Sequence, residues 1–286
     1  MFYYRYLILF TFLFVVINEV HSTKEPLHDF KIYAFLPWEK QPRGEQGEKD
    51  QRDYLLRYGI HPIKIIYENH FLTSGKIDLT KMKHIADEAG HEPNIPVSFD
   101  IELGNRFKPE TTIPKIKDIL TQYRRYQSQG LVGIYATIPQ NTYRWQPTIS
   151  SYDKLNDQYS ILIPYVDILS PSLYNYDGND FSAWSKSAKY NMLAIQHYKS
   201  GKPIVPYISP IIRIRPLSRI KKGYLVVELD KESMTKRLKL LYDLGASGCI
   251  IWGSSQDRKK DGQLPVFDPN KGWGKAVVEF IQSHAN

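Results

Sequence analysis

Seven short apolar runs recur along this chain, and most are separated from the next by a longer segment of helical periodicity. The runs are Lys31–Pro37, Pro62–Tyr67, Ile95–Ile101, Leu131–Ile138, Val166–Ser172, Pro203–Ile208 and Ser247–Gly253. Between them, Leu79, Met82, Ile85, Ala86 and Ala89 repeat at the period of an amphipathic helix that stops at Gly90. Similar patterns run from Ile113 to Tyr126, from Trp184 to Tyr198, and through Met234, Leu238, Leu241 and Leu244 to Gly245. A last one starts at Gly274 and passes through Val277, Phe280 and Ile281. Strands alternating with helices make βα units, and βα units make a parallel sheet.

The ends of the runs say how that sheet closes. Trp38, Glu39, Tyr67, Asp100, Glu102, Gln140, Tyr174, Tyr207 and Trp252 all stand at or just past the C-terminal end of a run. In a closed barrel those ends converge on one mouth, where such polar and aromatic groups would meet. No glycine-rich phosphate loop follows the first run, as a dinucleotide-binding open sheet would require. The expected fold is therefore α/β, a TIM-like β/α barrel of about seven parallel strands. No repeat, linker or change of composition divides residues 23–286, so they are expected to form a single barrel domain.

Residues 1–22 differ from the rest. Arg5 precedes the apolar stretch Leu7 to Val16, and Ser22 offers a small residue for cleavage. That layout is a secretory signal peptide, and its apolar core is short for a membrane span. The mature chain is expected to be extracellular or periplasmic, with no stable membrane insertion once the leader is removed. Cys249, the only cysteine, lies in an apolar run and reads as a buried, inert thiol. An exported protein without disulfides must rely on its core, and this length permits that. The net charge of +8 fits a polyanionic partner as well as plain solubility. Arg213, Arg215, Arg219, Lys221 and Lys222 form the densest basic cluster, either a solvated loop or a rail for such a partner.

Val97-Ser98-Phe99-Asp100-Ile101-Glu102-Leu103 carries the chemistry. A buried run ends in two carboxylates spaced i and i+2, which puts both on one face of a strand. Buried carboxylates are costly, and glycoside hydrolysis is the chemistry that most often needs such a pair. An apolar surround and a neighbouring carboxylate would favour a protonated Glu102, as a general acid requires. The alternatives are a helix cap or an ion pair with Arg106. The 21 tyrosines and five tryptophans supply rings that can stack on sugars, with Tyr174, Tyr176, Tyr207 and Trp252 the best placed. The eight histidines are scattered without ligand spacing, His84 and His91 reading as surface or helix-end residues, so no metal is expected. Ser254-Ser255 is not set in a nucleophile elbow.

Several motifs resemble one family. Asp100-Ile101-Glu102, Gly133-Ile134-Tyr135, Ser170-Pro171-Ser172-Leu173-Tyr174, Pro206-Tyr207 and Gly245 through Ser255 are similar, in order and spacing, to the hyaluronidases of glycoside hydrolase family 56. The resemblance runs from about Ile32 to Trp273. It implies a distorted seven-stranded barrel and a retaining endo-hexosaminidase that needs no cofactor. Glu102 would match the acid, and Asp100 the residue that orients the substrate's own acetamide nucleophile. Tyr207 would match a tyrosine beside that acetamide, and Trp252 the tryptophan that closes its subsite. Tyr135, Tyr174, Tyr176 and Trp38 complete the expected substrate-binding set. The implied partner is a polysaccharide, a polyanionic glycosaminoglycan fitting the charge, and not nucleic acid. The chain departs from the family at Leu103 to Phe107, where an aromatic-Arg-Pro sequence is usual, and at Ser170, where a tyrosine is usual. The family's paired cysteines are also missing. A muramidase- or chitinase-type barrel glycosidase and an inactive carbohydrate-binding barrel are the competing readings.

Overall fold

The computed structural model describes residues 29–38, 47–146, 148–218 and 223–284. The leader, Glu39, Arg219, Lys221 and Lys222 lie outside the described residues.

Seven parallel segments close a barrel. Lys31–Phe35 pairs with Gly248–Trp252 on one side, Phe35 opposite Trp252, and with Ile60–Pro62 on the other. The second segment breaks at Ile63 and continues as Lys64–Tyr67, which pairs with Val97–Asp100 so that Tyr67 lies opposite Asp100. Val97–Asp100 then pairs with Val132–Ile134. Single bridges continue the circle, Tyr135 to Ser170, Leu169 to Ile204, and Ser172 to Tyr207. Tyr207–Ile208 rejoins Gly248–Trp252 and completes it.

These seven segments fall on the seven apolar runs with trimmed ends, except that the second starts two residues earlier, at Ile60. The barrel is least regular where proline occurs. Pro62, Pro171, Pro203 and Pro206 have no N–H to give a ladder, so the runs holding them form short strands or bridges. Their carbonyls still serve: Pro171 accepts from the Tyr207 N–H at 2.8 Å and Pro206 from the Ile250 N–H at 2.8 Å.

The core has two layers, as alternating strand faces demand. Ile63, Ile65, Ile168, Val205, Tyr207 and Ile250 pack inside the barrel, with Tyr33, Phe35, Tyr67, Tyr135, Tyr174 and Trp252 against them. Ile32, Ala34, Phe99, Ile101 and Cys249 face outward and meet the helices through Met82, Met192, Leu238 and Val277. Burial pushes the Cys249 thiol up, which keeps it protonated and inert.

The helices Leu79–Gly90, Pro109–Tyr126, Phe181–His197, Lys231–Asp243 and Gly272–His284 occupy the periodic segments. Aspartates start three of them. Asp78 accepts from the N–H groups of Thr80 and Lys81, Asp180 from Ala183, and Asp230 from Ser233. Each satisfies donors that the first helical turn leaves free.

The helices Gly47–Leu56 and Asp153–Tyr159 were not read from the sequence, nor was a hairpin beside the mouth. Ile211–Pro216 and Tyr224–Glu228 form an antiparallel hairpin that leaves the barrel just after Tyr207–Ile208. The loop after Gly248–Trp252 joins it, because the Arg258 N–H donates to Tyr224 O and the Val226 N–H to Arg258 O, both at 2.9 Å. Of the basic cluster, Arg213 and Arg215 therefore stand exposed on a hairpin strand beside the mouth. Among the described residues, no helix is long and apolar enough to cross a membrane.

Candidate active site

The inward faces of the barrel strands bring the predicted pair to the mouth. Ser98 and Asp100 alternate with Phe99, whose ring packs outward on Phe71 and Tyr123. Ile101 also packs outward, so Glu102 emerges on the Asp100 side. Asp100 is the more enclosed of the two, and Glu102 is exposed. The burial expected of Glu102 therefore falls on Asp100. Flanking apolar residues on a strand point to the opposite side, so Ile101 and Leu103 say nothing about what surrounds the residue between them.

Burial pushes the Asp100 carboxyl up to about 7, helped by the negative charges of Glu102 and Glu68. Its Oδ1 is buried without a hydrogen-bond partner. Arg106 does not neutralise it. That guanidinium donates to the Asn141 carbonyl and lies over the Phe107, Tyr143 and Tyr152 rings, 4.8 to 5.6 Å from their centroids. The ion pair with Arg106 that the sequence allowed is thus not formed, and among the described residues the charges acting on Asp100 are those of Glu102 and Glu68.

Aromatic residues form the floor and one wall. Tyr174 stacks on Trp252 at 5.5 Å and on Tyr135 at 5.8 Å, while Tyr207 meets Tyr135 edge-on at 4.9 Å. Trp252 Nε1 donates to the Tyr67 hydroxyl at 3.1 Å, so the ends of the second and seventh segments are tied across the first at the mouth. Tyr207 donates to Ser98 Oγ at 2.7 Å. Ser172 Oγ shares hydrogen bonds with the hydroxyls of Tyr135 and Tyr176, at 3.1 and 3.0 Å. Asn141 Nδ2 donates to Tyr176 at 2.9 Å and extends this chain toward the rim.

Trp38 takes a supporting position. It is 4% exposed, its indole packs edge-on to Trp273, and its Nε1 donates to Ser254 O at 3.2 Å. A Cβ on Gly253 would come within 2.2 Å of its ring. Glycine at 253 is what lets the wall beside Trp252 lie flat on Trp38. At Ser170 the small side chain leaves an inward Oγ that is buried and unpartnered.

A half-buried latch holds the loop that carries Tyr174 and Tyr176. Asn175 Nδ2 donates to Ser209 O and Ile211 O, both at 2.8 Å, and Asn175 Oδ1 accepts from Arg237 Nε at 3.0 Å. This ties the tyrosine loop to the base of the basic hairpin.

Beside Glu102 a cavity of about 260 Å³ opens between the loops that follow Val97–Asp100 and Val132–Ile134. Leu103, Arg106, Thr137, Gln140, Asn141 and Tyr143 line it. Among the described residues, no group of three or more His, Cys, Asp or Glu side chains is arranged to hold a metal ion. The arrangement offers one exposed carboxyl, one half-buried carboxyl whose pKa is raised to about 7, and a ring-lined surface.

The structure thus brings Asp100, Glu102, Tyr135, Tyr174, Tyr176, Tyr207 and Trp252 together, with Trp38 beneath them. Glu68, Ser98 and Asn141 were not singled out from the sequence. Ser98 did carry a signal, since it is a polar residue inside an apolar run and two positions before Asp100. Glu68 carried none, since its partner lies 34 residues further on.

No protein-family model matches the chain, and no curated protein sequence does. Its fold is similar to that of bee venom hyaluronidase in complex with a hyaluronic acid tetramer, with a TM-score of 0.56 at 17% identity over 79% of this chain and 91% of that one. It is also similar to a β-D-glucuronidase of Dictyoglomus thermophilum, with a TM-score of 0.52 at 14% identity over 90% of this chain and 51% of that one. A third is the hyperthermostable endo-1,4-β-D-mannanase of Thermotoga petrophila, with a TM-score of 0.51 at 14% identity over 82% of this chain and 78% of that one. What these proteins share with this chain is the β/α barrel.

Proposed function

We propose that this protein is an exported glycoside hydrolase, a retaining endo-hexosaminidase that cuts beside an N-acetylhexosamine. The observation that carries the reading is the pair Asp100 and Glu102 at the barrel mouth, unequal in burial and set beside stacked rings. Two carboxyls with different environments can take different roles in one reaction.

In this reading the pair shares one proton. When it resides on Glu102, the exposed carboxyl protonates the glycosidic oxygen as the C1–O bond breaks. The acetamide carbonyl oxygen of the same sugar bonds to C1, and the leaving sugar departs with a new hydroxyl. Asp100, then a carboxylate, orients the acetamide N–H and balances the positive oxazolinium. Water next attacks C1, passes a proton to Glu102, and opens the ring with overall retention. Trp252, Tyr174 and Tyr135 already stack on one another, so the sugar meets their edges and outer faces and the Tyr207 side of the floor.

A polyanionic polysaccharide fits the net charge of +8 and the exposed Arg213 and Arg215 beside the mouth. The test is reducing-end release from hyaluronan, chondroitin, chitin and peptidoglycan, with the anomer of the first product read by NMR. Cleavage of a glycosaminoglycan with β-retention supports the reading. Cleavage confined to chitin or peptidoglycan moves the substrate to a muramidase or chitinase type. Inversion rules out the acetamide mechanism, and binding without turnover makes the barrel a lectin-like module.

A further inference from the structure

Glu102 lies where the sheet has run out. Tyr67 and Asp100 are the last paired residues of their two strands. The N–H two residues after Asp100 therefore has no strand carbonyl to receive it. Glu68, the residue after Tyr67, fills that gap with its side chain: Glu68 Oε1 accepts the Glu102 N–H at 2.5 Å. A side chain from one strand end thus continues the ladder by one step and fixes the backbone from which the Glu102 carboxyl projects.

We propose that Glu68 is the positioning residue of this site, setting the direction of the Glu102 side chain through that one hydrogen bond. A glutamine would accept the same bond and spare a third negative charge beside Asp100 and Glu102. The carboxylate accepts it more strongly, since a charge-assisted bond is roughly twice as strong as a neutral one. The following residues turn away from the strand through Gly104, whose φ of +84° is left-handed. The role given to Glu102 rests on the proposed function, whereas the positioning of its backbone does not.

The test compares Glu68→Ala and Glu68→Gln in the full chain with two readouts. Hydrogen exchange at the Glu102 amide, followed by NMR, needs no substrate. It should quicken about tenfold in Glu68→Ala and by much less in Glu68→Gln. On a cleaved polysaccharide, Glu68→Ala should lower kcat about 10- to 100-fold with KM within about twofold, because a misplaced acid loses its approach to the glycosidic oxygen. Glu68→Gln should recover most of that loss. An unchanged Glu102 amide in Glu68→Ala overturns the proposal, whatever the enzyme assay shows. A faster amide with no loss of kcat overturns the positioning role. A wild-type protein without turnover defeats the proposed function alone, and the amide still decides the contact.

Discussion

Tyr207 reaches across the barrel and donates its hydroxyl proton to Ser98 Oγ at 2.7 Å, two residues before Asp100 on the same strand. Both side chains are buried, so neither can exchange this bond for water. Ser98→Ala should leave the tyrosine hydroxyl unpaired and cost about 1–3 kcal/mol. Adding Tyr207→Phe to Ser98→Ala removes the orphan and should restore part of that loss. A double-mutant cycle of thermal or urea unfolding measures it, and purely additive losses would contradict the contact.

Asp100 makes stability depend on pH in an unusual direction for a carboxylate. Its folded pKa is raised to about 7 by burial, then by Glu102 and Glu68. Below about pH 4 it is protonated in both states, so no penalty arises. As pH rises from about 4 to 7, the unfolded chain ionises Asp100 freely while the folded chain resists, and stability falls. Unfolding midpoints of wild type minus Asp100→Asn should therefore decline across that window and level off above about pH 7. A flat difference would mean that Asp100 is solvated.

Gly253 touches Trp38 too closely to accept a side chain. Gly253→Ala should push the indole off Trp273, at a cost of about 1–3 kcal/mol of overpacking. Tryptophan fluorescence should shift along with the unfolding midpoint. Trp38→Leu in the Gly253→Ala background should relieve the clash, which separates this cause from a general loss of fold.

The Asn175 latch predicts a larger effect from a loop residue. Asn175→Ala leaves Arg237 Nε and the carbonyls of Ser209 and Ile211 without that partner. Buried groups left unpaired cost about 1–3 kcal/mol each, so a total of about 3 kcal/mol or more is expected. Limited proteolysis should then cut near Tyr174 to Tyr176 faster than in wild type.

The barrel was legible in the sequence because its strands are short apolar runs punctuated by glycine or proline, and the five long helices between them carry their own period. The Asp100–Glu102 pair was legible for the same reason, since alternation alone decides that both face the mouth. What could not be read depends on contacts far apart in the chain. The hairpin Ile211–Pro216 with Tyr224–Glu228 was hidden by its exposed arginines, and its outer partner is the loop around Arg258. Glu68 looks like an ordinary first-turn residue of a short helix until its partner, 34 residues on, is in place. The unequal burial of Asp100 and Glu102 arises from where the strand ends, which hydrophobicity does not mark.

In the proposed reaction Glu102 moves the proton. The most direct measurement is kcat of Glu102→Gln against wild type on whichever amino-sugar polysaccharide the wild type cleaves, with unfolding midpoints recorded on the same samples. Loss of a positioned acid should lower kcat about 100- to 10,000-fold. The midpoint should stay close to that of wild type, because Glu102 is exposed. Wild-type turnover in a folded Glu102→Gln protein would contradict the assignment.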